Sequence, residues 1–304
     1  MSLLNRPSDG NHAVLVVIFK LLTSSKKPMT RDSVENLCAP GPRFADQRGS
    51  GGKVRSTLIR WTQLGLFVES EEGIIKINPE IKNPERSVKN LPNLARHFAL
   101  LPENNANLWA KEASLSADFA RGLSWILAQD VWKFTPKKWE DAQKLIQRQL
   151  ANDIELFNNS ESWVALRAWM RYLGFSWQSD PEKADIIDPT PAVRYALKAI
   201  FKNKKHEIAA SDMVRSLGEI LPVLDGGFIR NAVEDKLRAQ EGANAWQSPP
   251  KHGLSTGLSR ALLRLTEEGT LQGKLLNDAP EDDRVRLTGR DQTIIGEFSK
   301  FTSA

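Results

Sequence analysis

The sequence predicts a mostly α-helical protein with small β-hairpin wings, in which two related modules flank a helical middle. Three observations carry that expectation. Helical patterns fill most of the 304 residues, and short hairpin patterns follow a helix near each end. The stretch Leu58-Ile-Arg-Trp-Thr-x-x-Gly65 recurs as Leu262-Leu-Arg-Leu-Thr-x-x-Gly269, at a constant offset of 204 (58 to 262, 65 to 269). Seven of the nine tryptophans lie between residues 91 and 180, a stretch whose pattern is all-helical. A third copy of the repeat is not visible in the letters, so a duplication is expected rather than a solenoid.

Each element has a local reason. Ser8 or Asp9 caps a first helix that runs through Thr23, and Pro28 closes the loop after it. Thr30 caps a short second helix with Val34, Leu37 and Cys38 on its apolar side. Ala39 to Gly52 is too rich in Pro and Gly for regular structure. A third helix runs from Lys53 to Leu64 and stops at Gly65. Residues 66–69 and 74–78 flank a Glu-Glu-Gly turn as a hairpin. In the middle, Pro92, Ser116, Pro136 and Ser160 sit where helix starts belong. Near the end, Thr190-Pro191 opens a helix to Phe201, Ser211 to Leu221 forms another, and Asp225 caps an extra one to Glu241. Ala243 to Leu254 is a loop, and Ser255 to Glu268 a helix stopped by Gly269. Thr270–Leu276 and Arg284–Thr288 then make a hairpin, and Asp291 to Phe301 a final helix. The expected domains are 1–90, 91–185 and 186–304.

Composition narrows the function classes. With 40% hydrophobic and 26% charged residues the chain is neither disordered nor fibrous. The apolar run Ala13 to Phe19 is too short to span a bilayer. It lacks a signal peptide's flanks, because Asp9 precedes it and no small-residue cleavage site follows. Cys38 is the only cysteine, so no internal disulfide and no cysteine-based zinc site is possible. A cytoplasmic protein without a membrane partner is the expectation. The net charge of +5 is uneven. Residues 1–100 hold 15 Lys/Arg against 9 Asp/Glu, while residues 181–304 hold 18 of each. Positive charge gathered on one module is the usual electrostatic footprint of a nucleic-acid partner.

Helix, helix, helix, hairpin is the order of a winged helix, and Thr57-Leu-Ile-Arg-Trp-Thr-Gln-Leu-Gly-Leu-Phe67 with its Glu-Glu-Gly turn resembles a recognition helix and wing. At 100° per residue, Val54, Leu58, Trp61 and Gly65 share the inner face. Lys53, Ser56, Arg60 and Gln63 then point outward, with Arg55 at the flank. Arg and Gln can make paired hydrogen bonds to guanine and adenine edges, and Lys and Ser can hold phosphates. Arg43 and Arg48 would clamp phosphates from the preceding loop, and Lys76 is the wing's basic residue. The alternative is an ordinary solvated face. Two features depart from a simple reader: the long Ala39–Gly52 connection and the acidic wing turn. On the second copy the same wheel turns Gly257, Arg260, Arg264 and Glu267 outward, beside an acidic tip at 277–283, which better suits a scaffold or protein-docking role. Trp125, Trp132 and Trp139 fall seven apart, but Thr135-Pro136 interrupts any shared helix face, so these aromatics are expected to fill a core.

No catalytic constellation emerges. His12, His97, His206 and His252 lack metal-ligand spacing. Gly49-Ser-Gly-Gly-Lys53 only echoes a phosphate loop, and the triplets Glu80-Ile-Lys82 and Glu234-Asp-Lys236 lack the strand setting of a nuclease. No catalytic residue, metal or cofactor is therefore expected. The opening Met1-Ser-Leu-Leu-Asn-Arg-Pro-Ser-Asp-Gly10, joined to Arg-Trp-Thr-Gln-Leu-Gly-Leu-Phe, resembles the DpdG family of bacterial gene clusters that place deazapurine bases in DNA alongside restriction components. That resemblance implies a DNA-modification or phage-defence setting, with double-stranded DNA and other proteins of the same system as partners. It implies no catalytic residue. A non-enzymatic DNA-binding component is the leading expectation; a winged-helix protein adaptor and a transcriptional regulator are the alternatives.

Overall fold

Thr30 shows how local chemistry starts an element. Its backbone is extended, and its Oγ1 accepts from the Ser33 N–H at 3.3 Å, satisfying one of the amide donors that a helix start leaves open. The computed structural model describes residues 2–4, 12–39, 50–110, 115–157, 159–202, 207–240 and 245–303. The chain is mostly α-helical with small antiparallel sheets. In order it forms α1 (His12–Ser24), β1 (Met29–Thr30), α2 (Arg31–Cys38), α3 (Ser50–Gln63), β2 (Phe67–Glu69), β3 (Ile74–Ile77) and α4 (Leu91–Leu100). There follow α5 (Ala117–Ala128), α6 (Trp139–Gln149), α7 (Ser160–Tyr172), β4 (Ser176–Trp177) and β5 (Ile186–Ile187). The last part holds α8 (Thr190–Lys202), β6 (Glu207–Ala209), α9 (Ala210–Ile220), α10 (Phe228–Arg238), α11 (Thr256–Glu267), β7 (Leu271–Lys274), β8 (Val285–Thr288), β9 (Ile294–Phe298) and β10 (Lys300–Ser303). No helix among the described residues is long and apolar enough to cross a membrane.

By its contacts the chain divides into two compact units, residues 1–119 with 157–173, and residues 120–156 with 174–304. The helices of 91–185 are thus shared between them. In the first unit, β1 and β2 flank β3, with Met29 opposite Ile75 and Phe67 opposite Ile77. The core gathers Leu15, Ile18 and Phe19 of α1, Val34 of α2, Leu58 and Trp61 of α3, and Phe67 of β2, all essentially inaccessible. Trp61 tilts against Trp169 of α7 at 5.4 Å between ring centroids, and His12 stacks on Tyr172 at 4.7 Å.

The second unit repeats the plan. A helix (α8), a strand (β6), a helix (α9) and a later helix (α11) precede a three-stranded sheet whose middle strand comes last, β6-β10-β7 against β1-β3-β2. Gly65 (φ +92°) and Gly269 (φ +72°) end the equivalent helices in the left-handed conformation that glycine adopts at least cost. Their hydrogen bonds match at the same offset: Leu66 N–H donates to Trp61 O, and Thr270 N–H to Leu265 O, each at 2.9 Å.

Four expectations are corrected. Asp291 to Phe301 is not a helix: Asp291 and Gln292 turn with positive φ, and the β-branched run Thr293-Ile-Ile295 leads into β9. The partner of β7 is accordingly β10, and residues 284–288 pair with β9 in a separate two-stranded sheet. Asp225 does not cap α10, which starts behind Gly227. Its carboxylate accepts from Ser255 N–H (2.5 Å) and Oγ (2.7 Å) at the start of α11. The helix–glycine–hairpin order also occurs a third time, in α7, Gly174 (φ +82°) and the β4–β5 pair. The tryptophans divide: Trp125, Trp163 and Trp169 are buried, whereas Trp132 and Trp177 are exposed. The Ser8/Asp9 cap lies outside the described residues.

Phe301 is fully buried on the middle strand of the second sheet. Phe301→Ala should lower stability by about 3–5 kcal/mol, read as an earlier denaturant midpoint. Truncation after Ala279 removes that strand and should abolish cooperative unfolding of what remains of the second unit. Burial holds His12 and His97 below their ordinary pKa, with Arg171 adding to the effect at His12. Their neutral forms are favoured on folding, so their contribution is complete above pH 6.5 and lost as pH falls through the lower folded values. The first unit should therefore unfold earlier in denaturant at pH 6.0 than at pH 7.5, and His12→Asn with His97→Asn should narrow that gap.

Candidate nucleic-acid interface

α3 packs on α1 and α2 through Val54, Leu58 and Trp61, as its apolar spacing requires. It is also covered from a second side. The Asn104 Nδ2 donates to Leu64 O at 3.0 Å and to Phe98 O at 2.7 Å, which draws the segment after α4 against the end of α3. The Phe98 ring lies under Gly65, where an added Cβ would stand 3.4 Å from it. The buried arc of α3 therefore extends through Thr57, Arg60 and Leu64.

This rotates the accessible edge away from the expected one. Arg60, expected to face outward, is only 1% exposed. A wheel built on Val54, Leu58 and Trp61 turns it outward, so its burial comes from tertiary packing that the helix period does not encode. Arg55 and Gln63 are exposed, and Lys53 and Ser56 are half-buried. Lys76 is exposed on β3 because its neighbours Ile75 and Ile77 point into the core. Arg43 and Arg48 lie outside the described residues.

Arg55 is not a free cation. Its Nε donates to both Glu35 oxygens (2.9 and 3.1 Å) and its Nη2 to Glu35 Oε2 (2.9 Å). These hydrogen bonds, and then the same carboxylate's charge, raise the Arg55 pKa above its ordinary high value. Nothing in the sequence marked this partner, because Glu35 lies on another helix and outside any i, i+4 pattern. On the hairpin, Arg31 pairs with Glu69 at 2.5 Å, and Glu71 and Glu72 are exposed at the turn.

The equivalent helix α11 has its outer face covered by its own unit. Gly257 is buried against Val131. Arg260 lies over the Trp132 ring at 4.0 Å and donates to Ile187 O at 2.7 Å. Arg264 pairs with the buried carboxylate of Asp188. Thr256 Oγ1 accepts from Val131 N–H at 3.0 Å. Arg260, expected outward, is half-buried as an internal tie, whereas Arg264 and Glu267 are exposed as expected, Arg264 while holding Asp188. Among the described residues no group of three or more His, Cys, Asp or Glu could hold a metal ion.

A family model described as DpdG-like matches residues 1–279. No curated protein and no solved structure matches the chain.

Because Arg60 packs rather than reads, Arg60→Ala should lower the thermal midpoint through lost packing of its buried stem. Gln63→Ala, on the same helix but exposed, should leave the midpoint within a degree. Equal midpoints for the two variants would contradict this placement.

Proposed function

The chain belongs to the DpdG-like family, and from that premise we propose that it is a non-catalytic, duplex-DNA-binding component of a bacterial DNA-modification and restriction system. The family associates it with the modification of DNA by deazapurine bases. In this reading residues 1–90 act as a winged helix. Lys53, Arg55, Ser56 and Gln63 meet the duplex along the open edge of α3, and Lys76 meets a phosphate from the wing. Arg43 and Arg48 join them on sequence grounds; Arg60 does not.

The observation that carries the proposal is where the accessible cations stand. The excess positive charge belongs to the first hundred residues, and the open edge of the helix before the hairpin presents Arg55 and Gln63. In α11, Arg260 is half-buried and donates to the Ile187 carbonyl, and Arg264, though exposed, pairs with Asp188 in a region with as many acidic as basic residues. Phosphate contacts would position the protein, and Gln63 would meet a base edge.

Lys53→Glu with Arg55→Glu should abolish a duplex gel shift that the unaltered protein gives at low salt. Affinity should fall steeply with salt, by about 0.9 log unit per log unit of salt for each phosphate neutralised. Glu35→Gln releases Arg55 and should strengthen binding several-fold. Absence of a shift at low salt from folded protein would overturn the proposal, and co-purification with another protein of the system would then favour the adaptor.

A further inference from the structure

The second module exceeds the first by two long insertions, and both reach one cavity. Residues 221–255 separate α9 from α11, where residues 39–49 separate α2 from α3. Residues 275–299 separate β7 from β10, where residues 70–73 separate β2 from β3. α9, α10, residues 248–254 and residues 282–285 together line a cavity of about 480 Å³. That is within the size range of small-ligand sites.

Its lining carries three carboxylates (Asp225, Glu234, Asp282) and three guanidinium groups (Arg215, Arg238, Arg284) beside His252. Asp225 is engaged by Ser255 N–H and Oγ, and Glu234 by Arg230 and Arg238. Arg284 is fixed by the carbonyls of Asn277 (3.1 Å) and Ala279 (3.0 Å), and no carboxylate among the described residues pairs with it. Arg215 reaches the cavity from α9, where it pairs at the surface with Asp212, a partner that a bound phosphate would replace.

His252 adds the most specific signal. Its backbone is left-handed (φ +57°), unusual for a residue with a side chain, and its carbonyl is locked by Arg286 N–H at 2.9 Å. The imidazole lines the cavity, and its Nε2 is buried without a hydrogen-bond partner. Glu281 Oε1, 3.6 Å away, is engaged by Lys251 instead. A buried ring nitrogen left unpaired beside oriented guanidinium groups is what a polar, anionic ligand would satisfy.

We infer that this cavity binds a small phosphate-bearing organic molecule of nucleotide size, its phosphate held by Arg284 and Arg215 and a further polar atom by His252 Nε2. The site does not rest on the DNA reading of α3, which belongs to the other unit. Calorimetric titration of the full chain with adenosine monophosphate tests it. Saturable one-to-one binding is expected, weakened at least tenfold by His252→Asn, which tolerates the left-handed backbone, and by the exposed Arg215→Gln. Thermal midpoints of both variants should match the unaltered protein. A short DNA duplex at equal phosphate concentration should not displace the nucleotide. No binding at millimolar nucleotide, unchanged affinity in both variants, or displacement by the duplex would overturn the inference, the last by placing a DNA phosphate in the cavity.

Discussion

A helix that fills a core on two sides leaves only a narrow strip for a ligand, and α3 is such a helix. Its inner arc meets α1 and α2, and its far end is held by Asn104 and Phe98. Every functional statement about the first unit follows from what remains: Arg55 and Gln63 in the open, Lys53 and Ser56 at the margin, Arg60 inside. The same constraint, taken further, explains α11. There Val131, Trp132, Ile187 and Asp188 occupy the outer side of the helix. The two copies thus bury different positions of the third helix: Arg60 is inside where its counterpart Arg264 is exposed, and Arg55 is exposed where its counterpart Ser259 is buried.

The duplication is kept where backbone geometry is most demanding. The left-handed glycine after the third helix, and the amide bonds that return the chain toward the sheet, superimpose at one sequence offset. The sheets share the order in which the last strand enters the middle. Divergence is confined to connections, where added length costs little entropy. In the second copy the strand that completes the sheet follows an inserted hairpin. Phe301 nevertheless occupies its middle strand, as Ile75 does in the first copy.

Much of this was legible in the letters. Caps at Thr30 and Ser255, the stop glycines and the first hairpin are local effects, and local effects are written in neighbouring residues. Two kinds of feature were not. Ile294 and Ile295 sit in a segment whose fate depends on a turn at Asp291–Gln292, and nothing in the period of the pattern separates a short strand from a helix there. The burial of Arg60 is a second-neighbour effect. A wheel shows which side of a helix is apolar, but not that tertiary packing will bury a residue of the polar side as well. Glu35 was invisible as a partner for the same reason.

The Arg55–Glu35 pair and the burial of Arg60 are different obstacles to binding. Arg55 lies at the surface, where an ion pair is weak and screened, so a phosphate can take the place of Glu35 in an exchange of one anion for another. The guanidinium keeps its charge and its fork of donors throughout. Exposing Arg60 would instead require the packing around Leu64 and Trp61 to open, so its positive charge stays out of a ligand's reach while the core is intact. The first unit's basic excess is consequently divided into a part that a polyanion can recruit at the surface and a part committed to holding α3 in place. Only the former should appear in the salt dependence of binding.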